Sequence, residues 1–475
     1  MSQYQKSYVR SLLMSQYQKS YVRSLLIIKA ILMLAVASVT TSCNLSANSN
    51  LHQVNSTSPK PVTTNKQNAI NSQKPKPTKK DNHGIGKDFA VLKVDAATKA
   101  DNLSAKKTSD WQWQLPVYFP EPNVPKDNPM TKAKVALGRH LFYDKRLSIN
   151  GEFSCASCHL QELAFTDGRA TSIGATGEVH PRSSLGLANV AYMPTLNWAN
   201  PAVTKLEDQL LTPMFGEMPR EMGLTDEHFK KVQQTFAKDE KYRALFSKAF
   251  GEDQLFDKAD SFSLEYISKA IASFERSIIS ADSKFDRHMQ GKVKLSDSEM
   301  RGKTLFFGEK AECHHCHGSF NFNDQVIHSK SRVVPIRFHN TGMYYLDELG
   351  SYIENNEGLY EITANNDDKG KFKAPSLRNV AVTAPYNHDG STKTLEEVVA
   401  NYAHGGRIIH LTEDPKSDKI NGNNIGDGRF NPNKSDLIVR IDLTPDEQAD
   451  IVAFLRTLTD ETLLTNPNYS DPFIK

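Results

Sequence analysis

The chain carries the pattern Cys-x-x-Cys-His twice, as Cys155-Ala-Ser-Cys158-His159 and as Cys313-His-His-Cys316-His317. At this spacing two thiols reach two vinyl groups of one porphyrin, and the adjacent His lies under the iron as its proximal ligand. Each unit therefore requires enough protein around it to enclose a haem. Two other uses compete: a Cys₄ zinc site built from two Cys-x-x-Cys knuckles, and redox-active thiols. Zinc does not require a His directly after each knuckle, so two covalently attached c-type haems is the favoured reading. His314 and His315 lie between the second pair of cysteines, cannot reach the same iron, and read as solvent-facing.

Only one of the five cysteines, Cys43, lies outside these units. Lys19, Arg23 and Lys29 precede the apolar run Ala30 to Val39, and small residues follow to Ser42. That order of charged, apolar and small segments is a secretory signal, and its apolar run is far below the ~20 residues that span a bilayer. An exported chain with paired thiols and no disulfide framework fits thioether-bound haem, which consumes all four thiols. Cys43 after Thr41-Ser42 matches a lipoprotein cleavage site, although Thr40 replaces the usual Leu; ordinary cleavage nearby is the alternative. Residues 1–43 are thus expected to be a signal peptide delivering the protein to the periplasm, with a lipid anchor at Cys43. Residues 1–13 recur word for word as 14–26.

Length bounds the rest: 475 residues suffice for two or three domains with cores of their own. The 58 basic and 55 acidic residues nearly balance, which argues against a nucleic-acid partner. Residues 44–110 are rich in Ser, Thr, Asn, Lys and Pro and read as a disordered tether. Folded structure is expected from Trp111–Trp113 onward, in two related halves. Gly138-Arg-His-Leu-Phe-Tyr143 precedes the first Cys-x-x-Cys-His and Gly302-Lys-Thr-Leu-Phe-Phe307 the second. Phe165 and Asp167 follow the first as Phe322 and Asp324 follow the second. Ile271-Ala-Ser-Phe-Glu-Arg-Ser277 and Ile451-Val-Ala-Phe-Leu-Arg-Thr457 close the halves as helices, the latter opened by Thr444, Pro445 and Glu447 as a capping box. Strand-like alternation is scarce.

From about Pro116 to Glu461 the sequence resembles the bacterial di-haem cytochrome c peroxidases and the related methylamine-utilisation protein MauG. The resemblance rests on Leu137-Gly-Arg-His-Leu-Phe-Tyr-Asp144, Ser154-Cys-Ala-Ser-Cys-His159, Ala164-Phe-Thr-Asp-Gly168 and Pro213-Met-Phe-Gly-Glu-Met-Pro-Arg-Glu-Met-Gly223. It continues in Ala374-Pro-Ser-Leu-Arg-Asn-Val-Ala-Val-Thr-Ala-Pro-Tyr386 and His388-Asp-Gly390. It implies a mainly α fold of two cytochrome c-like haem domains in tandem with long loops: a peroxidatic domain over 111–290 and an electron-transfer domain over 291–475. It also implies a peroxidase in which the iron above His159 keeps a sixth position for hydrogen peroxide.

By the same resemblance Glu221 is the acid–base group that moves a proton between the peroxide oxygens, and Trp198 is the aromatic stepping stone between the haems. Tyr402 takes the place of the Met that ligates the second iron in the cytochrome c peroxidases. This substitution is shared with MauG-like proteins, and a hard tyrosinate oxygen favours ferric and higher-valent iron. Ala175 follows Ser172-Ile-Gly174 where peroxidases often carry a capping His; His180 comes later. For the calcium ion the family often binds between its haems, the carbonyls of Thr383 and Pro385 match, while Ser183 stands where an Asn is usual.

Two outcomes lie within this reading. One is a peroxidase drawing electrons from a small cytochrome or cupredoxin; the other is a MauG-like enzyme that uses peroxide to oxidise a Trp or Tyr of a protein substrate, toward which Tyr402 tilts. A different class, a non-catalytic di-haem electron carrier, would have both irons six-coordinate.

Overall fold

The computed structural model describes residues 90–93, 109–251, 254–407 and 426–474. Its helices of ten residues or more are α1 (Lys132–Tyr143), α2 (Asp226–Lys238), α3 (Glu240–Phe250), α4 (Leu264–Ser277), α5 (Asp297–Phe307), α6 (Leu395–His404) and α7 (Pro445–Arg456). Among the described residues strand is confined to β1 (Ala90–Lys93) and β2 (Val333–Ile336), paired antiparallel with Ala90 opposite Ile336. The fold is helical, with long irregular connections.

Local sequence explains where the main helices start. The Thr131 and Ser263 side chains accept N–H bonds at the heads of α1 and α4. Ser296–Glu299 and Thr444–Glu447 form capping boxes on α5 and α7, the second as expected. In α1, Leu137, Leu141 and Phe142 fall on one face; in α4, Ile267, Ala270, Ile271 and Phe274 do. All seven are buried in one core, where each large side chain contributes ~1.5–3 kcal/mol on burial.

The two faces meet at a glycine. A Cβ on Gly138 would overlap the Ala270 carbonyl oxygen of α4 and press on the Phe274 Cβ at 2.9 Å. The same crossing recurs in the second half, where a Cβ on Gly302 of α5 would overlap the Asp450 carbonyl oxygen of α7 and meet the Phe454 Cβ at 2.9 Å. Phe306, Phe322, Ile451, Phe454 and Leu455 surround this second crossing in a core of their own. The internal duplication seen in the sequence is therefore a duplicated helix crossing, with glycine demanded by close approach. Only the first half adds α2 and α3, whose Phe236 and Tyr242 rings stack at 4.5 Å.

A second repeat joins the halves. Leu187-Ala-Asn189-Val-Ala and Leu377-Arg-Asn379-Val-Ala each form a turn with the Asn in the left-handed region, at φ 59° and 63°. Asn189 N–H donates to Ile278 O, and Asn379 N–H to Leu458 O, both at 2.9 Å. Their side chains then converge on Ser280. Asn189 Nδ2 donates to Ser280 O (2.9 Å) and Asn379 Nδ2 to Ser280 Oγ (3.0 Å). Asp460 Oδ2 accepts from Ala281 N and Asp282 N, while Asp460 N donates to Asn379 Oδ1. All four of these side chains are buried.

Three details depart from the expected layout. Residues 461–473 do not stay with the second half: Leu463 is buried in the first core, Gln161 Nε2 donates to the carbonyls of Leu463 and Asn466, and Tyr469 OH donates to Ser277 O. Phe285, in turn, belongs to the second core, so the division at 290/291 does not follow the packing. The cause is physical, since Leu463 and Phe285 each bury their side chain in the apolar core of the other half. Finally, β1 lies inside the 44–110 segment read as a tether; the open backbone edge of Val333–Ile336 gives it a partner. The signal segment 1–43 and the remainder of the tether up to 108 lie outside the described residues. No described helix is long and apolar enough to cross a membrane.

Gly138→Ala and Gly302→Ala should each destabilise the protein by ~1–3 kcal/mol through overpacking. Thermal unfolding of the haem-loaded protein should show both variants melting several degrees early; two unchanged midpoints would mean that the crossings do not govern stability.

Candidate active site

Each Cys-x-x-Cys-His unit lies in the chain between the two helices that cross in its own half, shortly after the first of them. Within each, the histidine is oriented by a carbonyl from a tight turn. His159 Nδ1 lies 2.8 Å from Phe165 O, and His317 Nδ1 lies 2.8 Å from Phe322 O. Phe165 and Phe322 both adopt positive φ, 64° and 53°, which turns those oxygens back toward the rings. A carbonyl only accepts, so Nδ1 carries the proton and Nε2 is left as the free lone pair. Burial lowers the pKa of both histidines, favouring the neutral imidazole a metal needs. No disulfide joins the four cysteines, and burial raises the thiols of Cys155, Cys158 and Cys313, the second to about 11.

The second unit opens on a cavity of about 300 Å³ lined by Cys313, Cys316, His317, Leu395, Val399 and Tyr402, among others. Helix α6 delivers the last three because positions 395, 399 and 402 share one face. Tyr402 is 39% exposed, yet the surface it shows faces this cavity, and burial raises its phenol. At the cavity wall His339 Nε2 binds Asp324 Oδ2 at 2.6 Å. Burial opposes the imidazolium, but the Asp324 carboxylate bound to it raises its pKa. Sequence reasoning singled out Asp324 only as a repeat position and did not find His339, which no local pattern marks.

Around the first unit the loop bearing Glu221 is fixed by its backbone. Met222 N–H donates to Pro213 O (2.8 Å), Ile149 N–H to Met222 O (2.9 Å), and Ala175 N–H to Glu221 O (2.6 Å). Gly174 packs so closely on Arg220 and Glu221 that no Cβ would fit there. The Glu221 carboxylate lies 3.6 Å from His180 Nε2. Its side chain is 33% exposed, but protein surrounds it at longer range, as for a group lining a crevice. Burial pushes its pKa up to about 7, and burial lowers His180 as well. His180, left open by the sequence, thus approaches Glu221.

Trp198 lies where the halves meet. Its Nε1 donates to Ser183 O (2.8 Å), its own carbonyl accepts from Lys373 N–H (2.9 Å), and its ring packs on a cluster with Tyr352 and Phe372. Ser183, Thr383 and Pro385, the three positions weighed for calcium, all line the cavity beside it.

These residues fit a porphyrin better than zinc. Among the described residues no three His, Cys, Asp or Glu side chains converge as a metal site, so the two Cys pairs do not form one Cys₄ centre. Instead each pair stands beside a histidine with a free Nε2, and the second pair borders an apolar cavity. A family model described as di-haem cytochrome c peroxidase matches residues 132–294. Cytochrome-c peroxidase IdrP1 of Denitromonas iodatirespirans is 34% identical over 367 residues, 72% of this chain and 85% of that protein.

The chain belongs to the di-haem cytochrome c peroxidase family.

Methylamine utilization protein MauG of Methylophilus methylotrophus is 30% identical over 340 residues, 70% of this chain and 85% of that protein. A solved structure titled as a MauG-like protein associated with microbial copper homeostasis is 50% identical, with a TM-score of 0.71, covering 76% of this chain and 99% of that one. This chain is accordingly a peroxide-reactive di-haem oxidoreductase whose cofactors are haem c. What sequence reasoning missed in this di-haem peroxidase is mostly long-range pairing. The repeated Leu-x-Asn-Val-Ala was the available signal for the junction between its halves.

A carboxyl with a pKa near 7 changes charge in the physiological range. The absorption spectrum of the resting peroxidase should therefore shift with pH through about 7, and Glu221→Gln should abolish that step. A step that survives the substitution would assign the titration elsewhere.

Proposed function

We propose that this di-haem peroxidase is an envelope enzyme of the MauG-like kind, in which peroxide is consumed at the first haem and the second stores oxidising equivalents. The single observation carrying this reading is the asymmetry between related halves: Glu221 with His180 near the first unit, Tyr402 in the cavity of the second. In this reading each half is a cytochrome c-like domain with haem bound covalently through Cys155 and Cys158, or Cys313 and Cys316. His159 and His317 present Nε2 as proximal ligands, and Tyr402 supplies the sixth ligand of the second haem. When bound, the two irons supply the two electrons that peroxide reduction to water consumes.

The chain's own groups handle the protons. Ionised Glu221 takes a proton from one peroxide oxygen and returns it to the departing one, which leaves as water; two electrons from the irons and two protons drawn from solvent then turn the other oxygen into a second water. His180 stands beside that carboxyl, 3.6 Å away. Trp198, hydrogen-bonded to Ser183 and backed by the Lys373 segment, keeps an aromatic ring between the halves for electron passage. Calcium at Ser183, Thr383 and Pro385 would brace the same junction.

Export to the periplasm and a lipid on Cys43 rest on the signal-like N-terminus. Electrons come from a small cytochrome or cupredoxin, or else from a Trp or Tyr of a protein substrate. Tyr402 favours the second source, since tyrosinate ligation suits retention of oxidising equivalents. The copper-homeostasis association of the half-identical MauG-like protein points to a copper-handling envelope protein as that substrate.

Stopped-flow spectroscopy with hydrogen peroxide separates this from an electron carrier: the resting protein should react rapidly and turn over, and a carrier would do neither. Glu221→Gln should lower kcat/KM for peroxide by ~10²–10⁴-fold. Tyr402→Met should change the spectrum of the second haem and raise its reduction potential; an unchanged spectrum would remove Tyr402 from the ligand set.

A further inference from the structure

The cavity beside the second unit, whose wall also takes in Ser183 and Trp198 of the first half, is lined by cationic side chains, and two of them have a carboxylate of their own. Arg378 is held by Asp286 through bonds of 2.8 and 3.1 Å, and His339 is held by Asp324. Lys373 differs. Only 5% exposed, it lines the same cavity, and among the described residues its ammonium has a single hydrogen-bond partner, the Thr195 carbonyl oxygen at 2.8 Å. An ammonium offers three N–H donors, and one carbonyl satisfies one of them. No carboxylate among the described residues pairs with it, and burial alone would pull its pKa down to about 7. Buried charges without a counter-ion are strongly disfavoured, so such a site calls for an anion.

The geometry points to Lys373 as the partner of a haem propionate: we propose that its ammonium binds a propionate carboxylate of the porphyrin held by Cys313, Cys316 and His317. This rests on haem attachment at the second unit as proposed above. Propionates leave the porphyrin on the edge opposite its thioether links. The Cys pair and Lys373 are both in the cavity wall, and the donors left on Lys373 have no other acceptor there. The Lys373 backbone N–H donates to Trp198 O, so the contact ties the second haem to the segment that bridges the halves. Lys373 is a positioning residue whose charge neutralises the carboxylate near the iron. Without it the unbalanced negative charge favours ferric iron.

The test uses haem-loaded protein carrying Lys373→Met or Lys373→Arg, with spectroelectrochemical titration of both haems and thermal unfolding. Lys373→Met should lower the potential of the second haem enough to raise its ferric-to-ferrous ratio at least about tenfold at fixed poise, ~59 mV for one electron. The first haem should move much less. Lys373→Arg should restore the parent value. Lys373→Met should also melt earlier, because a buried propionate is left unpaired. An unchanged potential overturns the assignment, and a variant that melts later with its potential unchanged would identify Lys373 as a buried cation with no anion. Absence of haem from Cys313 and Cys316 would instead remove the underlying reading together with this one.

Discussion

The junction around Ser280 is the constraint on which the rest of the molecule depends. Asn189 and Asn379 occupy matching turns in the two halves, and both spend their side-chain amides on the same serine. Asp460 closes the node by accepting two backbone N–H groups from the segment after Ser280. Satisfied buried hydrogen bonds are worth only ~0.5–1.5 kcal/mol each, but breaking one leaves a costly orphan in a low-dielectric interior. The node therefore sets geometry more than it adds stability. Loops that leave it carry Ser183, Trp198 and Lys373, so the spacing of the two sites is inherited from it.

On this shared frame the halves diverge where the chemistry requires it. Both use a glycine-mediated helix crossing and a positive-φ phenylalanine whose carbonyl orients a histidine. A duplicated scaffold thereby presents two histidines in the same orientation, each with Nε2 free. Apart from the α2–α3 insertion of the first half, the sites differ in the groups that face each histidine's cavity. One has a carboxyl pushed toward neutrality by burial, suited to exchanging protons at ordinary pH. The other has a phenol in the wall of a largely apolar cavity, its pKa raised by burial. In the function proposed above, equivalent anchors with unlike facing groups would let one fold both consume an oxidant and keep the oxidising power.

Much of this was legible in the sequence because it is written locally. Cys-x-x-Cys-His is a five-residue signal, and Thr444-Pro445-Glu447 marks a helix start without any tertiary information. Gly138 and Gly302 were visible as a repeat, although only the structure shows that each makes room for a carbonyl oxygen. What could not be read was pairing across large separations. Residues 461–473 looked like the end of the second half, yet Leu463 fills the first core because an apolar gap there accepts it. His339 and Lys373 carry no motif; their significance comes from which carboxylates they meet or fail to meet. Glu221 and Tyr402 were found through family resemblance alone, since a lone Glu near a turn or a Tyr on a helix has no chemical signature of its own.

The central claim is that each half encloses a porphyrin bound through both of its thiols. Mass spectrometry of peptides spanning 155–159 and 313–317, taken from the mature, correctly assembled protein, tests it most directly. The account predicts one haem on each peptide, linked at both cysteines. Unmodified thiols or a disulfide at either position would contradict it.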